Sequence, residues 1–141
     1  MVQAARISIT GTQSMDDSGP QTLELVTDGS YCYEPGFALL SYVESEMTGL
    51  EGVVTSFRIE DGQTVTLRRT GKVNAEMVFD RRQAHESLYD VGFGALMISV
   101  VTEDMTVLLN EHGGGLDLDY RVEVEHALCS RNRYHIEIQT I

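Results

Sequence analysis

Apolar and polar residues alternate with period two along most of this chain, the mark of strands with one buried face. The clearest run sets Leu116, Leu118, Tyr120, Val122 and Val124 against Asp117, Asp119, Arg121, Glu123 and Glu125. Shorter runs of the same kind occupy 6–10, 22–27, 64–69 and 134–140. No amphipathic helix is evident. The stretch 84–89 offers one turn at most, and Tyr89, Phe93 and the flanking Gly92 and Gly94 favour extended chain. The runs predict strands over 2–11, 21–33, 37–46, 53–60, 63–69, 73–80, 85–91, 95–102, 105–111, 116–125 and 132–140. One or two neighbours merge to give about nine or ten.

Turn signals fall between these runs: Pro35-Gly36, Asp61-Gly62, Thr70-Gly71, Glu103-Asp104 and Gly113-Gly114-Gly115. At Asp61-Gly62 the pattern selects a loop length. A two-residue loop would set Phe57 opposite Thr66. A three-residue loop Glu60-Asp61-Gly62 instead pairs Phe57 with Val65 and Thr55 with Leu67, giving one apolar face. Gly29 lies inside a strand-length run and is expected to bend it, as a barrel corner requires. Residues 12–20 form the one polar loop long enough to be mobile. Short connections imply antiparallel neighbours. A meander of this many strands does best by closing, which removes both edges. The expected fold is all-β: a single domain over 1–141, an antiparallel up-and-down barrel of about 8–10 strands.

The length of 141 residues fits one core, and 42 % apolar with 23 % charged residues is ordinary for a globular domain. The charge changes the picture more. Ten basic residues against 22 acidic ones leave a net charge of −12, repelled by phosphate backbones and anionic lipid. Nucleic-acid and membrane partners are therefore not expected. No apolar run approaches bilayer length, and residues 1–6 lack the basic start and apolar stretch of a signal peptide. Cys32 and Cys129 have no metal or redox spacing, so reduced thiols and a cytoplasmic setting follow.

Several local patterns, in order, resemble one family. Tyr42-Val43-Glu44-Ser45-Glu46-Met47-Thr48-Gly49 matches a Tyr-x-Glu…Thr-Gly segment, with Gly52 and Thr55 following. Leu67-Arg68-Arg69-Thr70-Gly71 ends a strand as Leu-x-Arg-x-Gly, and Met77-Val78-Phe79 fits Met-x-Phe. The run from Gly113 to Tyr120 matches Gly-Gly-x-Leu-x-Leu-x-Tyr, and Ser130-Arg131-Asn132 leads into the last strand. Over roughly 5–140 the chain thus resembles the YwiB-like proteins, bacterial domains of unknown function. That resemblance implies a calycin-like (lipocalin-like) barrel and a bacterial, cytoplasmic setting, but no activity. One segment departs: the family's Tyr-x-Thr-Pro-Tyr-Gly stands here as Tyr89-Asp90-Val91-Gly92-Phe93-Gly94, with Thr, Pro and the second Tyr replaced.

Glu44 and Arg69 carry the strongest chemical signal. Parity puts Glu44 on the face of Leu40 and Tyr42, and Arg69 on that of Val65 and Leu67. If those faces line the interior, both charges point inward, where they must pair with each other or with Thr55, Tyr89 or Tyr120. Tyr42, Glu44, Thr55, Arg69, Tyr89 and Tyr120 are therefore the expected ligand-binding set, anchoring the polar head of a small apolar or amphipathic molecule. A structural ion pair at the rim is the competing reading.

His126, Cys129 and His135 are the right residue types for zinc but form no known closed site, and no metal or cofactor is expected. The carboxylates Asp117, Asp119, Glu123 and Glu125 read as a solvated face. Gly113–Gly115 reads as a turn, since no Lys and no helix follow to hold an anion. No nucleophilic triad has a spacing argument, which leaves enzymatic activity well behind binding. Phe37, Phe57, Phe79, Tyr42, Tyr89 and Tyr120 are numerous enough to fill a barrel with side chains. Leu96–Val101 and Val107–Leu109 are apolar on both faces, so an outer face needs cover, most simply by a homodimer. The alternative to a ligand binder is thus a filled barrel acting through its outer surface.

Overall fold

The computed structural model describes residues 2–15, 19–90, 94–124 and 127–141. The backbones of Tyr89, Leu96 and Cys129 belong to that set, but their side chains lie outside it. Ten strands follow in chain order: β1 (Val2–Ser14), β2 (Gln21–Glu34), β3 (Phe37–Val43), β4 (Val54–Glu60), β5 (Thr64–Thr70), β6 (Ala75–Asp80), β7 (His85–Asp90), β8 (Ala95–Asn110), β9 (Gly113–Val124) and β10 (Ala127–Thr140). A single 3-10 turn, Glu46–Thr48, sits between β3 and β4. No helix among the described residues is long and apolar enough to cross a membrane.

The strands form one antiparallel sheet in the order β6-β5-β4-β3-β2-β1-β10-β9-β8-β7. β1 and β10 pair through the middle, from Ala5↔Thr140 to Ser14↔Arg131. The sheet curls into a nearly closed barrel whose seam lies between β6 and β7. The Asp80 N–H donates to Thr102 Oγ1 at 3.0 Å, tying β6 to β8, and the Phe79 and Tyr120 rings meet edge-on at 4.6 Å inside the same gap.

Alternation places the core as expected. Ile7, Tyr31, Leu40, Phe57, Leu67, Phe79, Leu116, Leu118 and Ile136 are all fully buried. Each such aliphatic or aromatic group withdrawn from water contributes about 1.5–3 kcal/mol before conformational entropy is counted. The inward rows stack in layers across β3, β4, β5 and β6: Ala38↔Ile59↔Val65↔Phe79, then Leu40↔Phe57↔Leu67↔Met77, then Tyr42↔Thr55↔Arg69↔Ala75. Among the described side chains of the aromatics expected inside, Phe37 is the exception. It alternates with buried Ala38, and the Arg58 guanidinium lies 5.4 Å from its ring.

Four turn readings need correction. The β4–β5 loop is Asp61-Gly62-Gln63, with Glu60↔Thr64, Phe57↔Leu67 and Thr55↔Arg69. The loop length of three was right, but the register differs by two. Both registers keep the same faces inward, so parity cannot separate them, though the observed one pairs Phe57 with Leu67 and Ile59 with Val65 where the expected one set Leu67 opposite Thr55. The backbone decides, because Asp61 and Gly62 both take left-handed φ (54° and 64°). Glu103-Asp104 is not a reversal. The runs 95–102 and 105–111 join as β8, with a register shift between Thr102 and Asp104. The shift moves the inward set from Ile98, Val100 and Thr102 to Met105, Val107 and Leu109, while Met97 and Leu108, of the opposite parity, are apolar side chains exposed on the outer face. The β8–β9 reversal is made by Glu111-His112, and Gly113–Gly115 are strand residues. The expected polar loop 12–20 is partly strand, since β1 runs to Ser14, and 16–18 lie outside the described residues.

Gly29 falls inside a strand, and what requires it is the close approach of its neighbours. It lies within β2, where a Cβ would fall 2.3 Å from Ser41 O and 2.7 Å from Ile7 Cδ1. The strand passes so close to β3 and the core there that no side chain fits.

Candidate functional site

An up-and-down barrel sends its connections alternately to its two ends. One end holds the β3–β4 and β5–β6 links and the tip of the long β1–β2 hairpin. There the uppermost inward layer, Tyr42↔Thr55↔Arg69, is capped by Glu44. Glu44 lies one residue beyond β3 but keeps the strand's parity, because its N–H donates to Val53 O at 2.8 Å and its carbonyl accepts from Gly52 N at 3.1 Å. Its side chain is therefore driven inward, and the residue is only 3 % exposed.

A buried carboxylate needs partners, and Glu44 has too few. Thr55, itself fully buried, donates from Oγ1 to Glu44 Oε2 at 2.8 Å. Arg69 Nε stands 3.9 Å from the same oxygen, an ion pair beyond hydrogen-bond length. Glu44 Oε1 and Arg69 Nε are both buried and without a hydrogen-bond partner. Each orphan of this kind costs about 1–3 kcal/mol if nothing occupies the space beside it.

Electrostatics confirm how closely the groups are grouped. Burial works against the Arg69 charge, yet Tyr134, Glu44 and Tyr42 around it hold the guanidinium above its ordinary value. Burial, followed by the Glu44 charge, pushes the Tyr42 phenol above its usual range, with Arg69 pulling the other way. Both groups keep their neutral-pH forms: a cation, and an un-ionised phenol able to donate.

Of the six expected residues, the fold gathers Tyr42, Glu44, Thr55 and Arg69. Tyr120 sits one ring away, 6.0 Å from Tyr134 and 4.6 Å from Phe79 by ring centroids. The Tyr89 side chain lies outside the described residues. Tyr134 joins the cluster although its sequence context did not mark it as a site. It reads as one more apolar position before Ile136 and Ile138, and only barrel closure carries it from β10 to Phe57 on β4, at 6.5 Å. A Cβ on Gly11, its partner across β1, would lie 2.9 Å from the Tyr134 ring, so the glycine makes room for it.

Beyond Tyr134 the inner face of the protruding β1–β2 hairpin continues as a groove of about 370 Å³, lined by Gly11, Gln13, Gln21, Leu23, Asn132 and Tyr134. It is amphipathic: one aliphatic and one aromatic side chain among three amides, with Thr12 and Thr22 also lining it.

The other candidate sites resolve differently. Asp117 and Asp119 are exposed surface carboxylates, paired with His135 and Arg133 respectively. Glu123 is paired with Arg121, and Glu125 lies outside the described residues. His135 is held on the outer face between Asp117 (2.5 Å) and Glu137 (2.9 Å). His126 and the Cys129 side chain lie outside the described residues. Cys32 forms no disulfide.

The fold has a counterpart among solved structures. The crystal structure of ywiB protein from Bacillus subtilis superposes with a TM-score of 0.85 at 21 % identity, covering 99 % of this chain and 93 % of that one. At that identity the likeness concerns the fold. Comparison with curated proteins finds no match. The family model described as "Domain of unknown function (DUF1934)" matches residues 7–136, nearly the whole barrel from β1 to β10, and the chain belongs to that family.

Proposed function

We propose that this barrel is a small-molecule binding module that takes an amphipathic ligand at the Glu44–Arg69 end. The observation that carries the reading is the pair of buried polar atoms without partners, Glu44 Oε1 and Arg69 Nε, beneath a tyrosine that borders an amphipathic groove. Native proteins rarely leave such atoms unsatisfied, and binding sites are where they do. The ligand's place is the mouth of the barrel and not its length, because Tyr31, Phe57, Phe79, Leu40 and Leu67 occupy the interior. A polar head would reach down past Tyr134 toward Glu44 and Arg69, with its apolar part along Leu23.

Native mass spectrometry tests this with three eight-carbon amphiphiles: octanamide, octanoate and octylamine. At least one should give a 1:1 adduct that Leu23→Arg removes. Leu23 is 44 % exposed, so the substitution blocks the groove without emptying the core. Absence of an adduct with all three defeats the reading.

One set of observations favours a second reading, a protein that acts through its outer surface as a homodimer. Leu108 is 71 % exposed and Met97 55 %, both on β8. Sedimentation velocity at micromolar concentration decides it: a monomer rejects the dimer, and a dimer broken by Leu108→Lys supports it.

A further inference from the structure

The two orphaned atoms differ in kind, and that difference specifies a ligand. Resting on the binding reading above, we infer that the mouth site selects a neutral head group carrying a hydrogen-bond donor beside an acceptor, of the amide, lactam or urea type, over a carboxylate or an ammonium. Glu44 Oε1 can only accept and Arg69 Nε can only donate. Both belong to one ion pair joined through Glu44 Oε2, so the pair already balances its own charge. A carboxylate head would satisfy Arg69 Nε but face Glu44 as a like charge, with no hydrogen to offer it. An ammonium would satisfy Glu44 Oε1 but face the Arg69 guanidinium and leave Nε unpartnered. Either would carry an uncompensated charge into a site where Glu44 is 3 % exposed. An amide offers its N–H to Oε1 and its carbonyl to Nε at no cost in net charge. The polar side chains of the groove, Gln13, Gln21 and Asn132, are themselves neutral. Thr55 reinforces the arrangement by occupying Glu44 Oε2, leaving Oε1 and Nε as the complementary positions.

Calorimetric titration of the intact chain with octanamide, octanoate and octylamine at neutral pH tests the selection. Octanamide should bind at least tenfold more tightly than either charged analogue. Equal or tighter binding of octanoate or octylamine overturns the head-group inference while leaving the groove reading standing. Silence from all three overturns both. Glu44→Gln supplies an internal control, because a ratio measured within one variant does not depend on its stability. Removing the carboxylate charge should narrow the octanamide-to-octanoate ratio by tenfold or more, and an unchanged ratio overturns the role given to Glu44.

Discussion

Thr55 is fully buried with its hydroxyl turned on Glu44 Oε2 at 2.8 Å, next to a carboxylate oxygen that has no partner at all. Thr55→Val keeps the shape and removes the donor. It should cost about 1–3 kcal/mol, the usual penalty for stranding a buried acceptor, read as a lower urea midpoint with an unchanged slope. Tyr31 gives a second expectation at this scale. It is fully buried, its hydroxyl donates to Asn110 O at 2.7 Å, and burial foremost pushes its pKa from 10.0 up to about 12. A raised folded pKa keeps its stabilising contribution intact below the unfolded value. That contribution is lost as pH rises through the folded one. Stability should therefore fall between about pH 10 and 12, with the loss reduced in Tyr31→Phe, as followed by circular dichroism. Individual charges in this chain were legible because period-two parity assigns a face to every residue. Glu44 and Arg69 were placed inward that way. Tyr134 was not legible as a site residue, since its neighbours in the cluster lie on β3, β4 and β5, at the far side of the barrel from its own hairpin.

At the level of elements, register is where parity stops being informative. Slipping β4 against β5 by two residues keeps the same faces inward, yet it decides whether Arg69 stands beside Thr55 or beyond it. The left-handed Asp61 and Gly62 set that choice. The β8 register shift at Thr102/Asp104 has the opposite character, since an odd shift exchanges faces and passes the inward set from even to odd positions. Gly29→Ala tests the close approach of β2. With a backbone carbonyl 2.3 Å from the new Cβ, relief requires strands to move apart. A loss of more than about 2 kcal/mol in chemical denaturation is expected. On the outer face, the hydrogen bond to Asp117 foremost raises the His135 pKa above its ordinary 6.5, with Glu137 adding to it. NMR titration of the imidazole should show a midpoint above 6.5 that drops in Asp117→Asn. The sign follows: this contact favours the fold below the unfolded pKa and fades as pH rises through the folded one.

For the molecule as a whole, the seam is the weak line. β6 and β7 end the sheet order, and the corner between them is organised by Asp80. Its carboxylate accepts from Arg82 N and Nε at 2.9 Å each and from Nη2 at 3.1 Å, while His85 Nε2 lies 3.5 Å away. The hydrogen bonds from Arg82 foremost hold Asp80 well below the ordinary value of 3.8. Its contribution is present above that value and lost as pH falls toward the folded pKa. Asp80→Asn should flatten the acid limb of the stability curve and speed amide exchange in β6 and β7 ahead of β1 and β10.

An all-β, antiparallel, up-and-down barrel, the buried face of nearly every strand and the inward direction of Glu44 and Arg69 can all be read from the order of residues. All of these follow from local alternation and short connections. Only the tertiary structure decided which residues meet across the barrel. It chose the β4–β5 register, turned Phe37 outward, brought Tyr134 onto Arg69 and left Glu44 Oε1 and Arg69 Nε without partners. Those are contacts between strands remote in sequence. Period-two patterning says which way a side chain points, but not how far around a closed sheet its neighbour lies.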